Sequence, residues 1–302
     1  MHAVSHVPCL SFLQPTGKVT DKQHIEVIVF SDLDGTWISE EEETLQLNVW
    51  WKSYAMKRSA MLVYNTGRPI EIVQSWMQKK TIPPVDLCIC CDGSNIYHQG
   101  SLWKPWKDHL ASNGCTLHLF DHLEAALQIW MSGRTTFDIS PDRSEFSLRY
   151  FVYSVEKTFQ VRGYCALCDY IRGMNLPGLH LYAYTVKEML ELVETDDWNS
   201  TLWGIELRVS SSVAHSSKGP AAQFVYDQIC SKQSIKPYVL WAGDADNDMG
   251  LLEDTDFDGI IVANASDALR DACRQETGSR CVFHSSKKRS LGVLEGLKFL
   301  LP

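Results

Sequence analysis

The sequence predicts an α/β protein, a parallel sheet with covering helices, interrupted by an inserted α+β domain. Three observations predict it. Short β-branched runs alternate with amphipathic segments from residue 25 to residue 90, the rhythm of β-α-β units. The rhythm resumes beyond residue 207. Between about 100 and 207 the pattern differs, with a Trp-rich opening at Trp103 and Trp106. The expected organisation is an extension over 1–24, a core from 25–99 and 208–302, and an inserted domain over 100–207.

Taken in order, residues 1–24 carry Pro8, Pro15 and Gly17 and read as an irregular extension. The run from Ile25 to about Ser31 is short and β-branched, so it reads as a buried strand, central in the sheet. Acids at Glu40 to Glu43 precede and open an amphipathic helix reaching about Lys57, where they favour its dipole. Ala60 to Tyr64 is the next strand. Pro69 is placed to open a helix to about Lys79, and Pro83-Pro84 breaks the chain before a third strand, Val85 to Cys90. The insert should hold helices near Leu123–Met131 and Thr158–Arg172, and strands near Phe146–Val155 and His180–Ala183. Ser210 to Ser217 reads as a loop. A helix from Lys218 follows, with Pro220 in its first turn. Then come a strand Tyr238–Ala242, a helix Asn247–Glu253, a strand Gly259–Val262, and helices from Ser266 and near Ser290 to Leu300.

The first strand ends in Ser31-Asp32-Leu33-Asp34-Gly35-Thr36. Open α/β sheets bind ligands at the carboxyl ends of their strands, so both acids arrive where chemistry is expected. Like charges that close call for a cation or a proton beside them. Asp32 can attack phosphorus as a carboxylate nucleophile, and Asp34 can serve as acid and then base. Gly35 allows a tight turn, which the Thr36 hydroxyl can tie. A solvated Asp-rich turn is the plainer alternative.

Three later features fit the same chemistry. Thr66 and Gly67 follow the second strand, where a hydroxyl and free amides can hold a phosphate oxygen at a helix start. Lys218 opens a helix after a polar loop, a position that suits a bound anion better than it suits the helix dipole. Gly243-Asp244-Ala245-Asp246-Asn247-Asp248 brings three acids to another strand end, costly without a cation. Hard oxygen ligands suit Mg²⁺. An EF-hand loop fails, because its sixth position is Met249 and its twelfth Thr255.

The chain has 302 residues and a net charge of −9, which argues against a nucleic-acid-binding face. No apolar run is long enough for a membrane helix, and the N-terminus is a poor secretory signal. The ten cysteines read as reduced, and the Cys165-x-x-Cys168 pair lacks a second pair with zinc-site spacing. Asn199-Ser200-Thr201 and Asn264-Ala265-Ser266 match the glycosylation pattern, an accident in a chain without a signal. The expectation is a soluble, cytoplasmic enzyme with no nucleic-acid or membrane partner.

Together, the order and strand-end placement of these motifs resemble the haloacid dehalogenase superfamily of phosphohydrolases. The resemblance implies a Rossmann-like core with a C2B-type cap over 100–207. It implies Asp32 as nucleophile and Asp34 as acid/base. Thr66, Gly67, Lys218 and Asn247 would bind phosphate, and Asp32, Asp34, Asp244 and Asp248 would hold Mg²⁺. Finer matches are similar to sucrose-6-phosphate phosphatases: Tyr64-Asn65-Thr66-Gly67-Arg68, Gly93-Ser94-Asn95-Ile96-Tyr97-His98, Ser217-Lys218-Gly219 and Asn264-Ala265. That implies a phosphorylated sugar substrate, with Arg68, Tyr97 and Arg149 as candidate substrate contacts. The departures lie where substrate is chosen. The family's cap strand reads Trp-Lys-Ile-Ser, and here it is Phe146-Ser147-Leu148-Arg149. Trehalose phosphate, mannosyl-phosphoglycerate or another small phosphoester therefore stay open, as does a silent binding module.

Overall fold

The computed structural model describes residues 24–112, 138–144, 147–154, 179–185, 203–211, 217–276 and 278–301, with backbone alone for the four segments between 138 and 211. Its first strand, β1 (Val27–Ser31), is buried along its whole length. Alternate residues face two different cores: Ile28 and Phe30 one, Val27 and Val29 the other. That burial on both faces explains the unbroken apolar run, because a strand covered by helices on each side has no solvent face to alternate with.

Seven further strands join it: β2 (Ala60–Asn65), β3 (Leu87–Cys90), β4 (Asn95–His98), β5 (Ser101–Leu102), β10 (Tyr238–Gly243), β11 (Asp258–Ile261) and β12 (Val282–His284). Their order is β12-β11-β10-β1-β2-β3-β4-β5. All pairs from β12 to β3 are parallel, and the β4–β5 edge is antiparallel. The chain winds outward from β1 in both directions, so the strand order reverses between β1 and β10. A ligand crevice is expected at such a switch point. Asp32 leaves β1 there, its N–H donating to Ala242 O on β10 at 3.0 Å.

Helices follow the expected boundaries within a residue or two. Glu41–Lys57 carries three acids in its first turn. Ile70–Gln78 starts just after Pro69. Lys218–Cys230 and Arg289–Leu300 also form, and Asp267–Gln275 is capped by the Ser266 hydroxyl, which accepts from Leu269 N–H at 3.2 Å. The segment expected as one helix from Asn247 is a single tight turn, Asp246–Asp248, running into a short helix, Met249–Glu253. The helix Lys104–Ser112 and the strands β4, β5 and β12, all short, were not expected.

A second sheet contains β6 (Asp138–Ser144), β7 (Ser147–Ser154), β8 (Leu179–Thr185) and β9 (Trp203–Ser211), ordered β6-β7-β9-β8 with every pair antiparallel. The strands expected near 146–155 and 180–183 are β7 and β8; the helices expected at 123–131 and 158–172 lie outside the described residues. β6 escaped notice because Pro141 interrupts it, and an edge strand tolerates proline where a central one would lose a ladder bond. The Ser-rich stretch was expected to be a loop. Its first two residues instead end β9, with Ser210 paired to Ser147 and Ser211 to Leu179, since ladder bonds outweigh weak strand propensity. β9 also crosses the 207/208 boundary drawn from sequence. Among the described residues no helix is long and apolar enough to cross a membrane, and the six described cysteines form no disulfide. Cys165 and Cys168 lie outside them.

Candidate active site

The carboxyl ends of β1, β2, β3 and β10 supply the site. Directly after β1 the chain turns tightly through Leu33–Trp37, with Gly35 at φ 74°. A Cβ on Gly35 would fall 2.1 Å from Asp244 Oδ2. Glycine is therefore required twice, by the backbone and by the close approach of the acid. Thr36 does not tie its own turn; its hydroxyl donates to Asp244 Oδ1 at 2.7 Å and joins the two loops.

Lys218, at the start of its helix, is fully buried. Its ammonium lies 2.7 Å from Asp248 Oδ1 and 3.1 Å from Asp32 Oδ1. Burial opposes its charge, but Asp248, Asp32 and Asp92 outweigh that and raise its pKa. Burial also pushes the Asp32 carboxyl well above the ordinary value, against the lowering by Lys218, with Asp248, Asp244 and Asp34 adding to the rise. Asp248 is anchored from behind, its Oδ2 accepting from the N–H groups of Asp244 at 3.0 Å and Ala245 at 3.1 Å. Gly243 makes room, since a Cβ there would meet the Asp248 carboxylate at 2.6 Å.

Asp32, Asp244 and Asp248 each offer an oxygen, and those atoms lie within 4.8 Å of one another. Burial and Asp248 push the Asp244 carboxyl up to about 7. Crowded acids that offer only oxygen donors fit a divalent cation, which would offset their charge. Asp34 stands outside this group. Arg68 claims both its oxygens, Nε to Oδ2 at 2.7 Å and Nη2 to Oδ1 at 3.0 Å.

Thr66 is fully buried, and its oxygen accepts from Arg68 N–H at 3.2 Å. Gly67 is buried beside it. Asn247 donates to Asp92 Oδ1 at 2.8 Å. Tyr97 is half-buried on β4, one strand beyond β3. Arg149 lies on β7 of the second sheet, in register with Asp142 on one side and Arg208 on the other.

Sequence reasoning gave no role to three residues that hold the site together. Asp92, at φ 53° after β3, partners Asn247 and faces Lys218; its signal was an acid at a third strand end. Asn65 Nδ2 holds Lys218 O at 3.0 Å. Asn264 stands in both a glycosylation pattern and a motif of the resemblance, neither of which names its partners. Its amide nitrogen donates to Gly35 O at 2.8 Å and Asp244 Oδ2 at 3.3 Å, while its oxygen accepts from Arg289 N–H at 2.8 Å. An amide so engaged ties three loops together.

Comparison with known proteins agrees with this layout. A family model described as sucrose-6F-phosphate phosphohydrolase matches residues 25–151 and 213–300. Sucrose-phosphatase 2 of Nicotiana tabacum is 20% identical over 286 residues, covering 90% of this chain and 58% of that protein. A glucosylglycerol-phosphate synthase of Pseudomonas anguilliseptica is 23% identical over 270 residues, 89% of this chain and 30% of the relative. The chain thus spans only part of the length of these curated relatives. Among solved structures, a sucrose-phosphatase of Synechocystis in complex with sucrose and phosphate matches with TM-score 0.66 at 19% identity, covering 91% of this chain and 98% of that one. A haloacid dehalogenase-like hydrolase of Bacillus subtilis matches with TM-score 0.54 at 14% identity, covering 92% and 95%. These likenesses establish the fold, and the model that matches both arms of the core establishes the kinship: the protein belongs to the sucrose-6F-phosphate phosphohydrolase family, on the haloacid dehalogenase fold.

Proposed function

We propose that this protein is a Mg²⁺-dependent phosphatase that hydrolyses a phosphorylated sugar, sucrose 6-phosphate or a related glycoside phosphate, through an aspartyl-phosphate. The observation that carries the reading is the buried Asp32–Lys218–Asp248 chain, with Asp244 completing a three-acid cluster and Asp34 two residues beyond the nucleophile. Mg²⁺ held by Asp32, Asp244 and Asp248 would offset the negative charge of phosphate beside a carboxylate.

In the first half-reaction an Asp32 oxygen attacks phosphorus, the bond to the sugar oxygen breaks, and Asp34 gives that oxygen a proton. In the second, water attacks the aspartyl-phosphate, Asp34 takes its proton, and inorganic phosphate leaves. Lys218 supports the nucleophile and the transferring oxygens with one fixed charge. Thr66 keeps its O–H proton for a phosphate oxygen, beside the amides of the Gly67 loop. Reduced thiols at the six described cysteines are in keeping with a cytoplasmic setting.

Phosphate release over a panel of sucrose 6-phosphate, trehalose 6-phosphate, glucosylglycerol phosphate and mannosyl-phosphoglycerate tests the reading. Turnover of one or more sugar phosphates that needs Mg²⁺ is expected. No release from any of them by folded, Mg²⁺-loaded protein would leave a binding module in place of an enzyme.

A further inference from the structure

The acids of the three-carboxylate cluster are held in different ways. Lys218 holds Asp32, and both Lys218 and the amides of Asp244 and Ala245 hold Asp248. Two neutral donors from two other loops hold the Asp244 carboxylate. Thr36 Oγ1 donates to Oδ1 at 2.7 Å, and Asn264 Nδ2 donates to Oδ2 at 3.3 Å. The main chain of Asp244 is fixed as well, its carbonyl accepting from Ser266 N–H at 2.8 Å. The loop 263–266 therefore grips this acid at both its carbonyl and its carboxylate.

That grip is braced from behind. Asn264 Nδ2 also donates to Gly35 O at 2.8 Å, and Asn264 Oδ1 accepts from Arg289 N–H at 2.8 Å. The second bond decides which way the amide faces: its oxygen meets an N–H, so its nitrogen is left for Gly35 and Asp244. Arg289 opens the helix Arg289–Leu300, whose preceding residue, Lys288, supplies no side-chain cap. The first N–H groups of a helix need acceptors from outside it, and Asn264 is one. Arg289 stands at φ 49°, a left-handed conformation that a residue other than glycine keeps only where its surroundings hold it. Ala263 N–H donates to Lys287 O at 2.8 Å and ties the same two loops again.

Neutral donors suit a metal ligand. A carboxylate has lone pairs to spare, so one donor on each oxygen leaves a further lone pair on each for a cation. Such bonds fix the rotamer and favour the charged form, the form that binds metal. An ammonium or guanidinium in their place would also hold the carboxylate, but it would repel the incoming cation. We infer that Asn264 and Thr36 are the positioning residues for Asp244: they keep its oxygen with those of Asp32 and Asp248, and so set the affinity of the cluster for a divalent cation. This rests on the reading of Asp244 as a metal ligand.

The test measures Mn²⁺ binding from the paramagnetic resonance signal of the free ion, and Mg²⁺ binding by competition, with no substrate present. The proteins are wild type, Asn264→Ala, Thr36→Val, Thr36→Ser, Asp244→Asn and the double variant Asn264→Ala with Asp244→Asn. Asn264→Ala and Thr36→Val should each raise Kd about 10- to 100-fold, while Thr36→Ser, which keeps the hydroxyl, should stay within about threefold of wild type. With Asp244→Asn already present, Asn264→Ala should add less than about twofold, because a positioning residue then has no ligand left to position. An equal rise with and without Asp244→Asn overturns the inference, and so does an unchanged Kd in folded Asn264→Ala. Wild-type binding by Asp244→Asn removes the ligand reading of Asp244 and the inference with it. If Asn264→Ala proves unstable by its melting curve, Thr36→Val set against Thr36→Ser carries the decision. Valine keeps the shape of threonine and loses only the donor, so equal binding by these two variants overturns the inference.

Discussion

The carboxyl edge of the eight-stranded sheet and the four-stranded sheet follow opposite rules. At the edge, side chains are paired and buried or half-buried: Lys218 with two acids, Arg68 with Asp34, Asn264 with three loops. In the second sheet the strands alternate. Along β9, Ile205, Leu207 and Val209 interleave with Gly204, Glu206, Arg208 and Ser210. The register lines up Asp142, Arg149, Arg208 and Tyr182 in one row across it. Two arginines directly opposite one another are unfavourable unless something answers their charge. The difference teaches that buried charges at the edge fix their partners one by one, whereas register and alternation fix only which residues of a strand share a face.

If the edge alone carries the chemistry, Asp32→Asn should lower kcat by roughly 10⁴-fold or more on every substrate, as for other nucleophiles. The melting temperature should hold or rise, because the substitution removes a buried charge whose protonated form burial already favours. Substantial activity in a verified sample would sink the nucleophile assignment.

Metal removal comes next. A chelator should abolish turnover and Mg²⁺ should restore it, while excess Ca²⁺ should inhibit, since it prefers more ligands and looser geometry. The stabilisation by Mg²⁺ should also depend on pH. The folded Asp244 carboxyl, pushed up to about 7, holds a proton that the unfolded chain has already lost. Stability of metal-free protein from this group is thus present below its ordinary value and lost as pH rises towards 7. Metal must displace that proton, so the Mg²⁺-induced rise in melting temperature should grow through the same range. A shift that is independent of pH would contradict the ligand assignment of Asp244.

Lys218→Met tests the edge through stability. It strands Asp32 and Asp248 without their buried cation, at a cost of about 3–5 kcal/mol by denaturant unfolding of metal-free protein. Mg²⁺ should recover part of it. A change under about 1 kcal/mol would mean that the pair is not maintained in solution.

The smallest effect tests the other half of the comparison. Arg149→Ala should lower kcat/KM about ten- to hundred-fold for the best sugar phosphate and leave p-nitrophenyl phosphate nearly unchanged, since a hydroxyl-binding group matters only to a substrate with hydroxyls. Arg208→Ala, its register partner, should behave alike. Equal losses on both substrates would point to general damage to the sheet.

By itself, the sequence determined the central strands of the core, most of its helices and the edge at which they end, but not β4, β5, β12 or the helix Lys104–Ser112. Short apolar runs that stop at Asp, Thr or Gly leave little choice of register or direction, because β1 must be buried on both faces. It also named Asp32, Thr66, Lys218, Asp244 and Asp248 by strand-end position and residue type. It could not say which acid goes with which cation. Asp32 and Asp34 are two residues apart, yet one pairs with Lys218 and the other with Arg68, two cations that lie far from each other in the chain. Asp92, Asn65 and Asn264 carried no motif that marked their partners. Hydrogen bonds and ion pairs of this kind join residues up to 229 positions apart, as Asn264 joins Gly35, and only folding brings their loops within 3 Å. Propensity and periodicity are local quantities; who neutralises a buried charge is settled by which strand ends the sheet order makes neighbours.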